Sequence, residues 1–290
     1  MAEQLSYSRI RGDEQSVFLN TGKLLGVQDI SIDSNFGSTP IIYLGIGISR
    51  IYQTNNAEQY ADASINSILL NNDIFYPLTG TNPVNIFVLK DKNNINDNYC
   101  LISGYLNSYS LKVSPNQPIQ ISTSFRFYNN AGPIATGSLD VSSRQHLSGI
   151  RNNNYNYLDS GVLISNANTI NLTLDEYNTE RVQEIDLSFN CNRIPIYAVG
   201  NKSPIRTDLI SPIELQFNCS FEASKLFSGT ELRKFPNTKK EQNITLEIKD
   251  HSGSQTISSY SLNNMTLISE NRSIGVDQNV VINRSYIGYR

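Results

Sequence analysis

Most protein chemistry is carried by histidine, cysteine and paired carboxylates, and this chain uses them sparingly. Two histidines occur in 290 residues, His146 and His251, and neither has a Cys, Asp or Glu at metal-ligand spacing. Cys100, Cys191 and Cys219 form no CxxC pair and no even-numbered framework, which predicts free buried thiols in a reducing compartment. Gly45-Ile46-Gly47 lacks the third glycine of a phosphate-binding loop and ends a strand-like run, so it reads as a turn. Asp29 and Asp33 are the nearest thing to a carboxylate pair. On a strand, residues four apart sit about 13 Å from each other, too far to share a proton. They read as a solvated face. The expectation is a non-enzyme that holds neither metal nor cofactor.

The bulk composition narrows the classes further. Net charge is −3 and the isoelectric point is near 5.5, so the basic footprint of a tight nucleic-acid binder is missing. Charged residues are only 17%, and the polar surface comes instead from 36 Asn, 35 Ser and 16 Thr. Asn and Ser compete for backbone hydrogen bonds and Thr is β-branched, a mixture that favours turns and strands over helices. Seven N-x-S/T triplets are about what this composition produces by chance, so they carry no signal. The polar start MAEQLSYSRIRGDEQ has no apolar core and no run reaches membrane-span length, which predicts a protein neither secreted nor membrane-bound.

What the elements must hold becomes clearer from an internal repeat. VQDISIDSNFGSTPIIYLG from Val27 and VQEIDLSFNCNRIPIYAVG from Val182 agree at seven of nineteen positions at an offset of 155. Further blocks follow in the same order. ADASINSILLNND matches IELQFNCSFEAS, NIFVLKD matches NITLEIKD, GYLNSYSLKV matches YSLNNMTLIS, and PIQISTSFRFYN matches NVVINRSYIGY. Five collinear blocks argue for a duplicated domain. The expected organisation is an N-terminal arm over 1–15, a first domain over 16–130, an Asn-rich linker over 131–159 and a second domain over 160–290.

Within each copy the pattern is that of half-buried strands. Ile30 and Ile32 alternate with Asp29, Ser31 and Asp33, as Ile185, Leu187 and Phe189 alternate with Glu184, Asp186 and Ser188. One face is packed and the other wet. Short helices are expected at most over Gly229–Phe235 and between Asp73 and Leu78. Pro40, Gly45, Pro195 and Gly200, from the repeated Pro-Ile-x-x-x-Gly, are expected at a turn after the wall strand. The tyrosines among NDNYCLISGYLNSYSL read as cross-strand pairs and interface anchors rather than a stacking platform.

The order of blocks resembles the tail tube family of bacteriophages, shared with type VI secretion tubes and baseplate hubs. The resembling features are three: a strand running into a proline turn (Asn35–Gly45, Asn190–Gly200), an alternating strand ending near an acid (INSILLNND, FNCSFEAS), and a closing strand ending in aromatics (ISTSFRFYN, VINRSYIGY). The usual tube subunit carries one such domain, and this chain carries two. The resemblance implies a mainly β fold of two tandem tail-tube-like β-barrel or sandwich domains. It further implies three chains closing a pseudo-hexameric ring, and rings stacked into a tube that conducts DNA. Implied partners are the chain itself and other tail proteins such as baseplate, tape measure, terminator or sheath, with DNA as transiting cargo. The implied location is the virion tail, after assembly in the host bacterial cytoplasm. Asp29, Asp33, Glu184 and Asp186 are the expected lumen-facing acids, and the arm and the Asp91–Asn98 hairpin the expected stacking contacts between rings. The alternatives are a baseplate hub or tube-initiator ring and, from another class, a two-domain β-sandwich adhesin or carbohydrate-binding module. The absence of Trp weighs against sugar binding.

Overall fold

A computed structural model of the chain describes residues 16–35, 39–45, 48–54, 58–70, 72–80, 82–89, 98–128, 131–133, 165–174, 177–179, 182–201, 203–222, 241–250, 252–273 and 280–290. Among these residues the regular structure is strand throughout, and no helix occurs. Residues 1–15, most of the linker, most of the Asp91–Asn98 hairpin, the Gly229–Phe235 segment and both histidines lie outside the described residues. Between Asp73 and Leu78 the chain makes a turn instead of a helix, closed by the Leu78 amide donating to the Phe75 carbonyl at 2.9 Å.

The first half contains β1 (Ser16–Leu19), β2 (Gly22–Lys23), β3 (Val27–Asn35), β4 (Thr39–Gly45), β5 (Ile48–Thr54), β6 (Tyr60–Ile68), β7 (Val84–Leu89), β8 (Tyr99–Val113), β9 (Gln120–Phe127) and β10 (Ala131–Pro133). The second contains β11 (Ser165–Leu174), β12 (Tyr177–Thr179), β13 (Val182–Asn190), β14 (Arg193–Ile196), β15 (Arg206–Leu209), β16 (Glu214–Glu222), β17 (Glu241–Asp250), β18 (Thr256–Ser273) and β19 (Val281–Tyr289). Every pairing is antiparallel. The first half runs β2-β1-β7-β8-β9-β6-β3, with β4 and β5 as a separate hairpin. The second runs β12-β11-β17-β18-β19-β16-β13, with β14 and β15 as the hairpin. Among the described strands one joint, β8 against β13, fuses the halves into a 15-stranded sheet.

The likeness of the halves reaches individual residues. Leu106 faces Phe125, a bulge follows, and Ser108 then faces Ser124; 161 residues on, Leu267 faces Tyr286, a bulge follows, and Ser269 faces Ser285. A second bulge lies between Val27 and Asp29 against β6, and its counterpart between Val182 and Glu184 against β16. Ser103 (φ 58°) and Asn264 (φ 57°), again 161 apart, both take the left-handed conformation. Each amide is met by the same side chain: Ser103 donates to Asn85 Oδ1 at 2.9 Å, and Asn264 to Asn243 Oδ1 at 3.3 Å. These asparagines open the matched blocks NIFVLKD and NITLEIKD.

Packing is preserved across the repeat even where residues change. Gly104 sits opposite Phe127, and a Cβ there would overlap the Phe127 ring. At the equivalent place in β18 and β19 the sizes are exchanged, and a Cβ on Gly288 would overlap the Met265 sulfur. One bulky and one absent side chain fill the same space in either order, as close packing requires.

β8 and β18, of 15 and 18 residues, change partners midway. The start of β8 pairs with β7 and its end with β13 on the same side, while β10 and then β9 follow the other side. A single apolar core runs through both halves, including Leu111, Phe125, Leu187, Phe217 and Tyr286. Of the expected β-barrel or sandwich domains, the closed barrel is not seen among the described residues: the sheet ends at β3 on one branch and at β12 and β2 on others, and these ends do not pair. Closing a barrel needs the last strand to return to the first, and no described strand bridges these ends.

Candidate functional site

Alternation in eight neighbouring strands, β3-β6-β9-β8-β13-β16-β19-β18, broken only at the bulges described above, gathers polar side chains on a common face. Residues directly opposite across a ladder point to the same side, so the face can be traced by register. One row runs Asp29, Asn66, Ser122, Ser110, Ser188 and Gln216. The next runs Ser31, Ser64, Ser124, Ser108 and Asn190. A third runs Gln120, Lys112, Asp186, Asn218 and Ser285. The opposite side of the same strands carries Ile65, Phe125, Leu111, Leu187 and Phe217, all buried.

The hydroxyls and amides of this face are knitted together. Asn66 Nδ2 donates to Asp29 Oδ1 at 2.8 Å, and Ser122 Oγ donates to Asn66 Oδ1 at 2.7 Å, a link across three strands. Ser108 and Ser124 share a hydrogen bond of 2.7 Å. Its cations are engaged by acids: Arg126 forms a two-pronged pair with Asp62 at 2.8 and 2.9 Å, and Lys112 lies 3.4 Å from Glu184. The Asp62 hydrogen bonds hold the Arg126 guanidinium firmly protonated. Burial raises the Asp186 carboxyl, partly opposed by Lys112 and reinforced by Glu184.

All four acids singled out in the sequence stand on this one face. Asp29 and Asp33 come from β3, Glu184 and Asp186 from β13, four ladder steps and about 19 Å away across the sheet. Asp62, Glu214 and Glu222 share the face through register, so seven carboxylates stand against Arg126 and Lys112. The electrostatic character is negative. Pro40 lies within β4 opposite Gln53 and Pro195 within β14 opposite Thr207, so neither prolines' position is a turn. Gly45 ends β4, and Gly200, at φ 91°, occupies the turn after β14. Two-stranded hairpins tolerate proline because their outer edges need no donor.

A second constellation, missed in the sequence, sits where the two halves meet. Asp73 is buried in the turn after β6. Its Oδ2 accepts from the hydroxyls of Tyr109 on β8 at 2.6 Å and Tyr260 on β18 at 2.7 Å. Its Oδ1 accepts from the amides of Phe75 and Tyr76 at 2.8 and 3.2 Å, and its own amide donates to Ser258 Oγ at 3.1 Å. Tyr76 stands edge-on to Tyr109, Phe189 and Tyr260, and Tyr109 stacks on Phe189 with centroids 4.9 Å apart. Burial pushes both the Tyr109 and Tyr260 phenols well up, so they stay protonated as donors. A cavity of about 230 Å³ opens beside this turn with Asp73 in its lining, and both Asp73 carboxylate oxygens are already hydrogen-bonded. The arrangement is a clasp between the halves.

The three cysteines are buried and unbridged, and burial lifts Cys100 to about 11 and Cys219 to about 12. Among the described residues no group of three or more His, Cys, Asp or Glu is placed to hold a metal ion, and no helix is long and apolar enough to cross a membrane. Compared with known proteins, the chain matches no protein-family model and no curated sequence.

Proposed function

We propose that the chain is a structural protein of a bacteriophage tail. Three copies close a ring of six repeats, rings stack into a tube, and the lumen conducts DNA during ejection. Each like-paired unit is then one tail-tube-like domain, at 16–130 and 160–290. The observation that carries this reading is the β8–β13 joint, which continues one repeat into the next with a single polar face. An edge-to-edge joint between repeats is the contact a ring of repeats needs at every step.

The character of the face supports a conduit. Binding to DNA is driven by cations that displace condensed counterions from phosphate. A face where carboxylates outnumber cations, and where both cations are held by acids, offers no such gain and repels the cargo. Ser and Asn rows give wetting without charge attraction. Tail partners are reached by stacking, and the apolar side chains exposed along the β14–β15 hairpin and its flanks, Ile194, Val199, Ile205 and Ile210, suit contacts between rings.

Electron microscopy of the purified protein, with its solution mass, tests the reading. Long hollow tubes built from trimers are expected. Isolated trimeric rings would instead identify a hub or tube initiator. A monomer that forms no ring at any concentration overturns both.

A further inference from the structure

The tube reading, on which this inference rests, requires chains to join but does not say through which residues. We infer that the free edge of β3 in one chain pairs antiparallel with Ser269–Ser273 of β18 in the next, Asp33 opposite Asn271 and Ser31 opposite Ser273, repeating the joint the chain already makes within itself.

The joint inside the chain defines what each edge needs. β8 presents residues 108–113 to β13, with Ser110 opposite Ser188, Leu111 opposite Leu187 and Lys112 opposite Asp186. The counterpart of β13 is β3, 155 residues earlier, and among the described strands β3 pairs with β6 alone. The counterpart of the end of β8 is the end of β18, 161 residues later. β17 covers β18 only as far as Thr266, and β19 takes its other side. Among the described residues no strand pairs with the outer edge of β3 or with the β17-side edge of Ser269–Ser273. The chain therefore ends in the two complementary sides of a joint it has already made once.

The side chains suit the transfer. On the polar face, Asp33 meets an amide donor in Asn271, and Ser31 meets Ser273, so no like charges are opposed. On the other face Ile30 and Ile32 are half-buried although β3 is an outer strand, and Ile268 is 61% exposed beside the open edge of β18. Apolar residues at an unpaired edge are an invitation to strand addition. The register is carried over while the side chains on the packed side of the joint change. Where Tyr109 stacks on Phe189 inside the chain, the transferred register sets Glu270 opposite Ser34 and Arg272 opposite Ile32. Glu270 is already bound by Arg272 and Arg284, at 2.8 Å each. The aromatic stack of the internal joint is thus replaced by an ion cluster that is closed within its own chain and asks no charge of β3.

Disulfide trapping reads the register directly, since directly opposed strand residues meet the Cα separation a disulfide needs and shifted ones do not. The native thiols are buried and do not compete. The chain carrying both Asp33→Cys and Asn271→Cys is expected to give covalent trimers under mild oxidation, and each single variant is not. Asp33→Cys with Ser269→Cys reports a register slipped by two. Ser110→Cys with Ser188→Cys, the same pair within the chain, shows that the oxidation works and that the halves are folded. Trimeric particles that cross-link only through the slipped pair, or through neither, overturn this joint while leaving the ring reading standing. A chain that remains monomeric with its internal pair bridged overturns both.

Discussion

Two side chains concentrate the electrostatics of the molecule, and both are acids away from the polar face. Asp73 receives four hydrogen bonds, two from phenols that belong to different halves. Asp73→Ala strands two buried hydroxyls and two amides, and is expected to lower unfolding stability by about 3 kcal/mol in urea titration. Tyr260→Phe removes one donor and should lower it by about 1 kcal/mol. Equal losses for the two variants would mean that the acid is not the hub of the cluster. Glu270 behaves differently. Burial tends to raise its carboxyl, but hydrogen bonds and charge from Arg272 and Arg284 outweigh this and hold it below 4.5, its ordinary value. A lowered folded value means that its stabilisation is complete above about pH 4.5 and is lost as pH falls through the lowered value. Melting temperature should therefore fall more steeply with acid in the native chain than in Glu270→Gln. Parallel curves would remove Glu270 from the account. The acids of β3 and β13 were legible because alternation fixes their face. Asp73 was not, because its phenol partners lie 36 and 187 residues away and no periodicity connects them.

At the scale of strands, the likeness of the two halves was legible where composition is distinctive and blurred where it is not. The Val27 and Val182 blocks align as the strands do. The fourth block does not: GYLNSYSLKV set against YSLNNMTLIS equates Gly104 with Tyr260, whereas ladder register equates Tyr99 with Tyr260 and Gly104 with Met265. Alternating Ser, Asn and Leu offers little to anchor an alignment, and an odd slip exchanges the two faces of a strand. The glycine exchange explains part of the confusion, because the residue that would mark the bend has moved to the partner strand. It also makes a test. Phe127→Gly alone leaves a void and should cost about 3 kcal/mol or more, and Gly104→Met alone is overpacked. Combined, they copy the arrangement of the second half, and a double-mutant cycle should show a favourable coupling of about 1–3 kcal/mol. Additive losses would mean that the two sites do not share one space.

For the molecule as a whole, the sequence conveyed a β chain, but not the single sheet that runs through both halves. The reason is physical: a strand pattern records which face is buried, not which edge is occupied. The polar face has its own test at this scale. The native chain should show no measurable affinity for duplex DNA in fluorescence anisotropy. Changing Asp29, Asp33, Glu184 and Asp186 together to Lys should produce binding that weakens as salt rises. Binding by the native chain of equal strength and salt dependence would refute the repulsive conduit.

The joint between β8 and β13 has a consequence in counting. Because two units are covalently one, any closed circuit of whole chains holds an even number of units. Circuits of five or seven are ruled out by connectivity alone, whatever angle each joint prefers. In the proposed ring, half of all joints would form in cis, at an effective concentration set by the chain and not by the cell. Only the other half would respond to protein concentration, so the threshold for closing such a ring would be set by one kind of contact while its geometry is templated by the other.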